Sequence, residues 1–258
     1  GYLLRSAEGD VWYAARRQPQ RLVDIRSVGE GYAIVDESSD KVVGKNDGVR
    51  VFKECHQGAI YLHRGQQHLV TRLDLERQDV FVKPIKARYY TRALSEKETE
   101  ILAVERSRPV ANFIARLGRI RVTEQVVGYE KRNLYSAELL DKLSLDLPPQ
   151  SFETVGLWLE IEDVLQEMVL RRGLHFMGGI HALEHALISM FPLFALCDRN
   201  DIGGIAVPLH PQTQKSAVFI YDGYQGGVGL AARGFEMIEE LLVKVGELIG
   251  GCPCDSGC

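Results

Sequence analysis

The chain has 258 residues, enough for one large or two ordinary domains with cores of their own. A hydrophobic fraction of 45% beside 26% charged residues is that of a globular protein, and no apolar run approaches the roughly 20 residues a membrane-spanning helix needs. The net charge of -4 conceals an asymmetry: residues 1–133 carry 24 Lys and Arg against 18 Asp and Glu (+6), residues 134–258 carry 7 against 17 (-10). A basic half of this size suits contact with a polyanion, and equally suits an ordinary solvated surface. The N-terminus Gly1-Tyr2-Leu3-Leu4-Arg5 lacks the apolar core of a signal peptide, so the chain reads as cytoplasmic with no membrane partner. A start without Met and an end inside a cysteine run read as a segment of a longer protein.

In chain order, residues 2–20 read as the end of a preceding element, with Trp12 and Tyr13 packing and Pro19 closing it. From Leu22 to about Tyr90 short β-branched or aromatic runs predict strands: Leu22-Val23-Asp24-Ile25, Tyr32 to Asp36, Ala59 to Leu62, His68 to Thr71 and Asp79 to Val82. Turn formers such as Asp47-Gly48 and His63-Arg64-Gly65 separate them, and the spacing suggests a small barrel or curled sheet. A second β-rich run covers Glu100 to Glu105, Phe113 to Leu117, Ile120 to Tyr129 and Phe152 to Ile161, with Gly118 able to turn a hairpin. Pro148-Pro149 marks a linker, placing a β-rich region at 1–150 and an α/β domain at 151–258.

Beyond Glu162 the apolar period becomes helical. Val164, Leu165, Met168 and Val169 form one face, ended at Gly173. Ile180, Leu183, Leu187, Phe191 and Phe194 form another, with Pro192 expected to kink it. Strands at Gly204 to Pro208 and Ser216 to Tyr221 flank the turn-rich His210-Pro211-Gln212-Thr213-Gln214. A last amphipathic helix carries Leu230, Phe235, Ile238, Leu241, Leu242, Val245 and Leu248 and stops at Gly250-Gly251. The fold class expected is α+β, with a β-rich first half followed by an α/β domain that ends in a zinc-binding cysteine cluster.

Almost every chemically pointed residue lies after Gly178. His181, Glu184 and His185 fit the H-x-x-E-H pattern of inverted zinc peptidases: two imidazoles on one helix face can hold a metal while Glu184 activates its water. This gives the alternative of a metal-dependent hydrolase with His181 and His185 as ligands and Glu184 as general base. The same residues can instead form a structural polar cluster, hydrogen-bonded to Asp198 or Asp222. Gly223, Gly226, Gly227 and Gly229 precede a helix whose amides could meet an anion, or they pack tightly beneath Tyr221 and Tyr224. No G-x-x-x-x-G-K-[ST] occurs, so the chain cannot hydrolyse ATP by the usual P-loop route.

Three of five cysteines crowd into Cys252-Pro253-Cys254-Asp255-Ser256-Gly257-Cys258, and one intervening residue is too short for an ordinary disulfide. Metal is the better explanation, with Cys252, Cys254 and Cys258 as thiolate ligands of one zinc ion. Cys55 and Cys197 stand alone and read as inert buried thiols. In the basic half, Tyr61, His63, Arg64, Tyr89, Tyr90 and Arg92 mix aromatic and cationic groups suited to single-strand stacking and phosphate contact, and equally suit core aromatics with solvated neighbours.

Across nearly its whole length the chain resembles a family of superfamily-two DNA helicases with a C-terminal metal-binding cysteine cluster, which includes bacterial mitomycin-repair helicases. The resemblance rests on Asp24-Ile25-Arg26-Ser27, Gly58 to Gly65, Leu73-Asp74-Leu75, Tyr89-Tyr90-Thr91, Gly179 to Ala186, Cys197 to Gly204, Phe219 to Gly229 and the cysteines. It implies 3′ to 5′ DNA unwinding in repair by a parent in which two ATP-driven motor domains and a winged helix come first. ATP and Mg²⁺ then belong to the parent, the motor domains of the same polypeptide are partners, and single-stranded DNA is the expected ligand. It further implies a four-cysteine structural zinc site, of which Cys252, Cys254 and Cys258 match three ligands. The fourth cysteine and the motor domains are absent from this sequence.

Overall fold

The computed structural model describes residues 3–5, 12–14 and 31–254. The strand expected at Leu22 to Ile25, the Asp24-Ile25-Arg26-Ser27 motif and Cys258 lie outside the described residues. Strands β1 (Leu3–Arg5) and β2 (Trp12–Ala14) pair antiparallel. The chain divides into two compact units, one of Gly1–Arg92 with Lys131–Asp141, the other of Ala93–Glu130 with Lys142–Cys258. The units therefore do not part at Pro148-Pro149.

The first unit is built on β3 (Gly31–Asp36), β4 (Lys41–Asp47), helix α1 (Gly48–Glu54), β5 (Ile60–His63), β6 (Gln66–Asp74) and β7 (Asp79–Pro84). The strands form one sheet in the order β4-β3-β7-β6-β5, antiparallel except for the parallel pair β3 and β7. Ile34, Val70, Val80 and Val82 are buried on it, and α1 contributes Val51 and Phe52 to the interior. Register shifts at Ile34/Val35 and Val70/Arg72 bend the sheet, as an extra residue in a strand does. Its two edges approach each other: a Cβ on Gly44 of β4 would lie 3.2 Å from the Tyr61 hydroxyl and 3.3 Å from His63 Nδ1, both on β5. The sheet is thus curled, as the strand spacing suggests. Asp47-Gly48 ends β4 and leads into α1.

Two long strands follow, β8 (Tyr89–Val110) and β9 (Phe113–Asn133), then β10 (Leu139–Ser144) and β11 (Gln150–Ile161). Gly118 turns no hairpin, because β9 runs straight through it and pairs with β11 from Gln150↔Glu124 to Ile161↔Phe113. That pairing draws residues 93–130 into the second unit together with the helices.

In the second unit β11 continues into α2 (Asp163–Arg171), α3 (Phe176–Met190), β12 (Ile202–Val207), β13 (Ser216–Asp222), α4 (Leu230–Glu236) and α5 (Ile238–Gly250). The sheet order is β10-β9-β11-β13-β12, with β8 on β9. Residues 157–161 are all buried, since the strand is covered on both faces. On one face Leu157 and Leu159 meet Ile180, Leu187, Phe191, Phe235, Ile238, Leu241 and Val245 of the helices. On the other, Trp158 stacks on Phe219 with ring centroids 5.6 Å apart, beside Ile120, Val122 and Tyr221.

The helical periods hold with three differences. Only Leu165 and Val169 of the α2 face pack on the core, while Val164 and Met168 stay exposed. Pro192 ends α3 instead of kinking it, and the chain tightens there into a 3-10 turn over Phe191–Leu193. The last helix is two helices that meet at Met237. Arg108 binds that junction: Nη2 donates to the Phe235 carbonyl at 2.7 Å, and the guanidinium grips both carboxylate oxygens of Glu239 at 2.8 Å. Gln212 of the β12–β13 loop acts as an extra strand residue, its amide accepting from Ile101 N–H at 2.6 Å and donating to Ile101 C=O at 2.9 Å. Among the described residues no helix is long and apolar enough to cross a membrane.

Candidate functional site

The expected chemistry falls in three places. The first is α3, whose N-terminus is held by His175, with Nδ1 accepting from Gly178 N–H at 2.9 Å. A helix so started sets His181, Glu184 and His185 on one face, three and four residues apart. His181 Nδ1 lies 3.1 Å from Glu184 Oε2, and the two imidazoles meet edge to face with centroids 4.4 Å apart. Glu184 is buried and both histidines are exposed. Gly204 of β12 leaves room for the acidic side chain: a Cβ there would lie 3.0 Å from Glu184 Cγ and 3.1 Å from its Oε1.

Asp198 and Asp222, expected beside the histidines, are engaged elsewhere. Asp198 accepts from Asn200 N–H at 2.9 Å and caps the 3-10 turn over Arg199–Asp201; Asp201 returns the contact to Asp198 N–H at 2.8 Å. The Tyr224 hydroxyl donates to Asp201. Asp222 is fully buried and accepts four backbone amides: Val228 at 2.6 Å, Gly229 at 2.8 Å and Leu230 at 3.3 Å on one oxygen, Ala231 at 2.6 Å on the other. The α4 amides that could have met an external anion are thus satisfied by the protein's own carboxylate. Within the glycine loop the close packing is at Gly227, which takes φ +77 and where a Cβ would fall 2.8 Å from Val155 and 3.2 Å from Asp222, whereas a Cβ on Gly226 or Gly229 would meet nothing within 4 Å. Thr154 Oγ1 sits 2.8 Å from the Asp222 carbonyl and 2.9 Å from that of Tyr224.

The second place is the chain beyond α5. Cys252 N–H donates to the Ile249 carbonyl at 3.3 Å, and Cys252 and Cys254 are both exposed. Two accessible thiols one residue apart suit a borderline or soft divalent cation and little else, so the donor set fits zinc. The other cysteines differ. Burial pushes the Cys55 thiol up to about 12. Cys197 is only half-buried, and its thiol is raised first by burial and then by Asp201, Asp198 and Asp222.

The third place is the first unit. Tyr61 and His63 stack on one side of β5 with centroids 6.1 Å apart, both half-buried. Arg64 and Gly65 both have positive φ, +48 and +78, as a two-residue hairpin turn requires, and that turn leaves the Arg64 side chain in solvent. Tyr89, Tyr90 and Arg92 open β8. The start of β5 lies beside the start of β8, since Ile60 N–H donates to Thr91 Oγ1 at 2.9 Å. Lys131, which the sequence does not single out, lies 5.9 Å from the Tyr89 ring centroid; only strand pairing joins residues 42 apart in sequence.

A curled β unit is thus followed by a helix-covered sheet whose last described helix runs into a C-x-C pair of exposed thiols. A model of the MrfA Zn-binding domain matches residues 183–258. Beyond that domain the chain is similar over nearly its whole length to part of several ATP-dependent helicases. It is 26% identical over 261 residues to an uncharacterized ATP-dependent helicase, YprA, of Bacillus subtilis, covering 99% of this chain and 34% of that protein. It is also 39% identical over 82 residues to an uncharacterized protein, MJ1572.1, of Methanocaldococcus jannaschii, covering 31% of this chain and 73% of that protein. Its fold is similar to the crystal structure of the DUF1998 helicase MrfA bound to DNA, with a TM-score of 0.62 at 26% identity over all of this chain and 34% of the other. The chain thus spans about a third of the length of the helicases it matches.

Proposed function

We propose that the chain is the accessory region of an ATP-dependent 3′ to 5′ DNA repair helicase, acting in the cytoplasm. Its first unit guides a single strand leaving the motor domains, and a zinc ion held by Cys252, Cys254 and Cys258 braces the C-terminal domain. The observation that supports the reading is the Ile60–Thr91 hydrogen bond, which brings the start of β5 beside the start of β8, the strands that carry or adjoin Tyr61, His63, Arg64, Tyr89, Tyr90 and Arg92. Aromatic rings interleaved with cations can stack bases and neutralise phosphates. The basic first half and the likeness to a helicase crystallised with DNA support it. ATP and Mg²⁺ belong to the motor domains, and zinc supplies a cross-link near the end of α5 instead of chemistry.

The test is fluorescence anisotropy of a labelled single strand titrated with the chain at several salt concentrations. Binding whose logarithm falls linearly with that of the salt is expected, because cations on the protein replace counterions on the phosphates. No binding at low salt, or binding without a salt slope, overturns the proposal.

A further inference from the structure

The triad on α3 is used neither by the cysteine run nor by the nucleic-acid reading. We infer that His181, Glu184 and His185 form a second binding site, for one divalent transition-metal ion of the zinc type, independent of the cysteines.

Their candidate ligand atoms all lie within 4.8 Å of one another. The His181 Nδ1 to Glu184 Oε2 separation of 3.1 Å is close to the spacing of about 3.3 Å between two donors on one tetrahedral ion with bonds of about 2.0 Å. An ion can therefore replace the proton these two atoms share with little movement of either. His185 reaches the same point from the next turn, since its ring already touches that of His181.

Burial divides the work. The Glu184 side chain is 9% exposed and packed beside Gly204, so one ligand is already buried and turned to His181 before any ion arrives. The His181 side chain is 62% exposed, and His185 is exposed as well; both rings can rotate towards an ion without disturbing the core. A purely structural cluster would be expected to enclose its imidazoles. Asp198 and Asp222, spent on capping other elements, supply no fourth ligand, so the remaining position faces water. Two imidazoles and a carboxylate select zinc, copper or nickel over magnesium or calcium, which prefer all-oxygen sites. The helix is complete without the ion, so this site is preorganised, whereas the cysteines lie beyond the last helix.

The test compares the metal-stripped chain with a His181→Ala/His185→Ala variant by zinc analysis after dialysis and by Co²⁺ absorption. The wild-type chain should hold one more zinc than the variant. Its extra Co²⁺ should add no sulfur-to-metal charge-transfer band, while the band from the cysteines persists in both. Glu184→Gln should weaken the extra site by at least the tenfold to hundredfold typical of losing a ligand's carboxylate partner. Equal zinc content in the folded wild type and variant overturns the inference. Should the double variant fail to fold, the imidazole resonances of the wild-type chain decide: shifts of both His181 and His185 at saturating zinc support the site, and unmoved resonances overturn it.

Discussion

Gly118 and Gly156 stand opposite each other in the β9–β11 ladder, each serving a different close approach. A Cβ on Gly118 would fall 2.0 Å from the backbone oxygen of Ala103, on β8. A Cβ on Gly156 would fall 2.7 Å from Ile120 Cδ1, the tip of a side chain. Backbone cannot give way as a methyl can. Gly118→Ala should cost about 3 kcal/mol by forcing β8 from β9, and Gly156→Ala about 1 kcal/mol. Urea unfolding of both variants checks this; equal costs would show that Ile120 is as immovable as the strand.

Asp222→Asn should destabilise the second unit by about 2–3 kcal/mol, since four amides converge on a buried carboxylate and an amide side chain would turn a donor towards some of them. Hydrogen exchange should locate the damage: the Leu230 and Ala231 amides should lose protection before those of α3.

Cys55 predicts a pH dependence. Its folded pKa, pushed by burial from an ordinary 9.0 to about 12, lies above the unfolded value, so the fold favours the protonated thiol. That contribution is fully present below pH 9.0 and is lost as pH rises towards about 12. Cys55→Ala should flatten the alkaline fall in stability, measured as urea midpoint against pH. At neutral pH a maleimide should label Cys252 and Cys254 in the metal-free chain and leave Cys55 unmodified until unfolding.

Arg64 and Arg92 are both exposed in the first unit. Should each meet a phosphate, Arg64→Gln and Arg92→Gln would each lower the salt slope of single-strand binding by about 1, with no change in sequence preference. Tyr90→Ala should instead weaken binding by about 1–3 kcal/mol at every salt concentration, as the loss of a stacked base does. Slopes unchanged in both arginine variants would place the phosphate path elsewhere.

The sequence by itself determined the α+β class and most elements, because period and composition are local. Ile180, Leu183 and Leu187 had to share a helix face, and the alternation around Val80 and Val82 had to be a strand. It also marked the resemblance to helicases through segments spread over the chain, and Cys252 and Cys254 through chemistry that few other residues share. What it left open was decided by partners distant in sequence. Gly118 reads as a turn because glycine permits one, and only the close passage of Ala103 explains why it remains in a strand. Asp222 reads as a partner for histidines because charge seeks charge, yet the unsatisfied amides of the next helix lay nearer. The unit boundary followed the β9–β11 ladder instead of the prolines, since hydrogen bonds between strands fix compactness and linker composition does not. Arg108, Gln212 and Lys131 carry no signal at all in one dimension. Each acquires its place only when strands bring it to a carbonyl, a backbone or a ring more than 40 residues away.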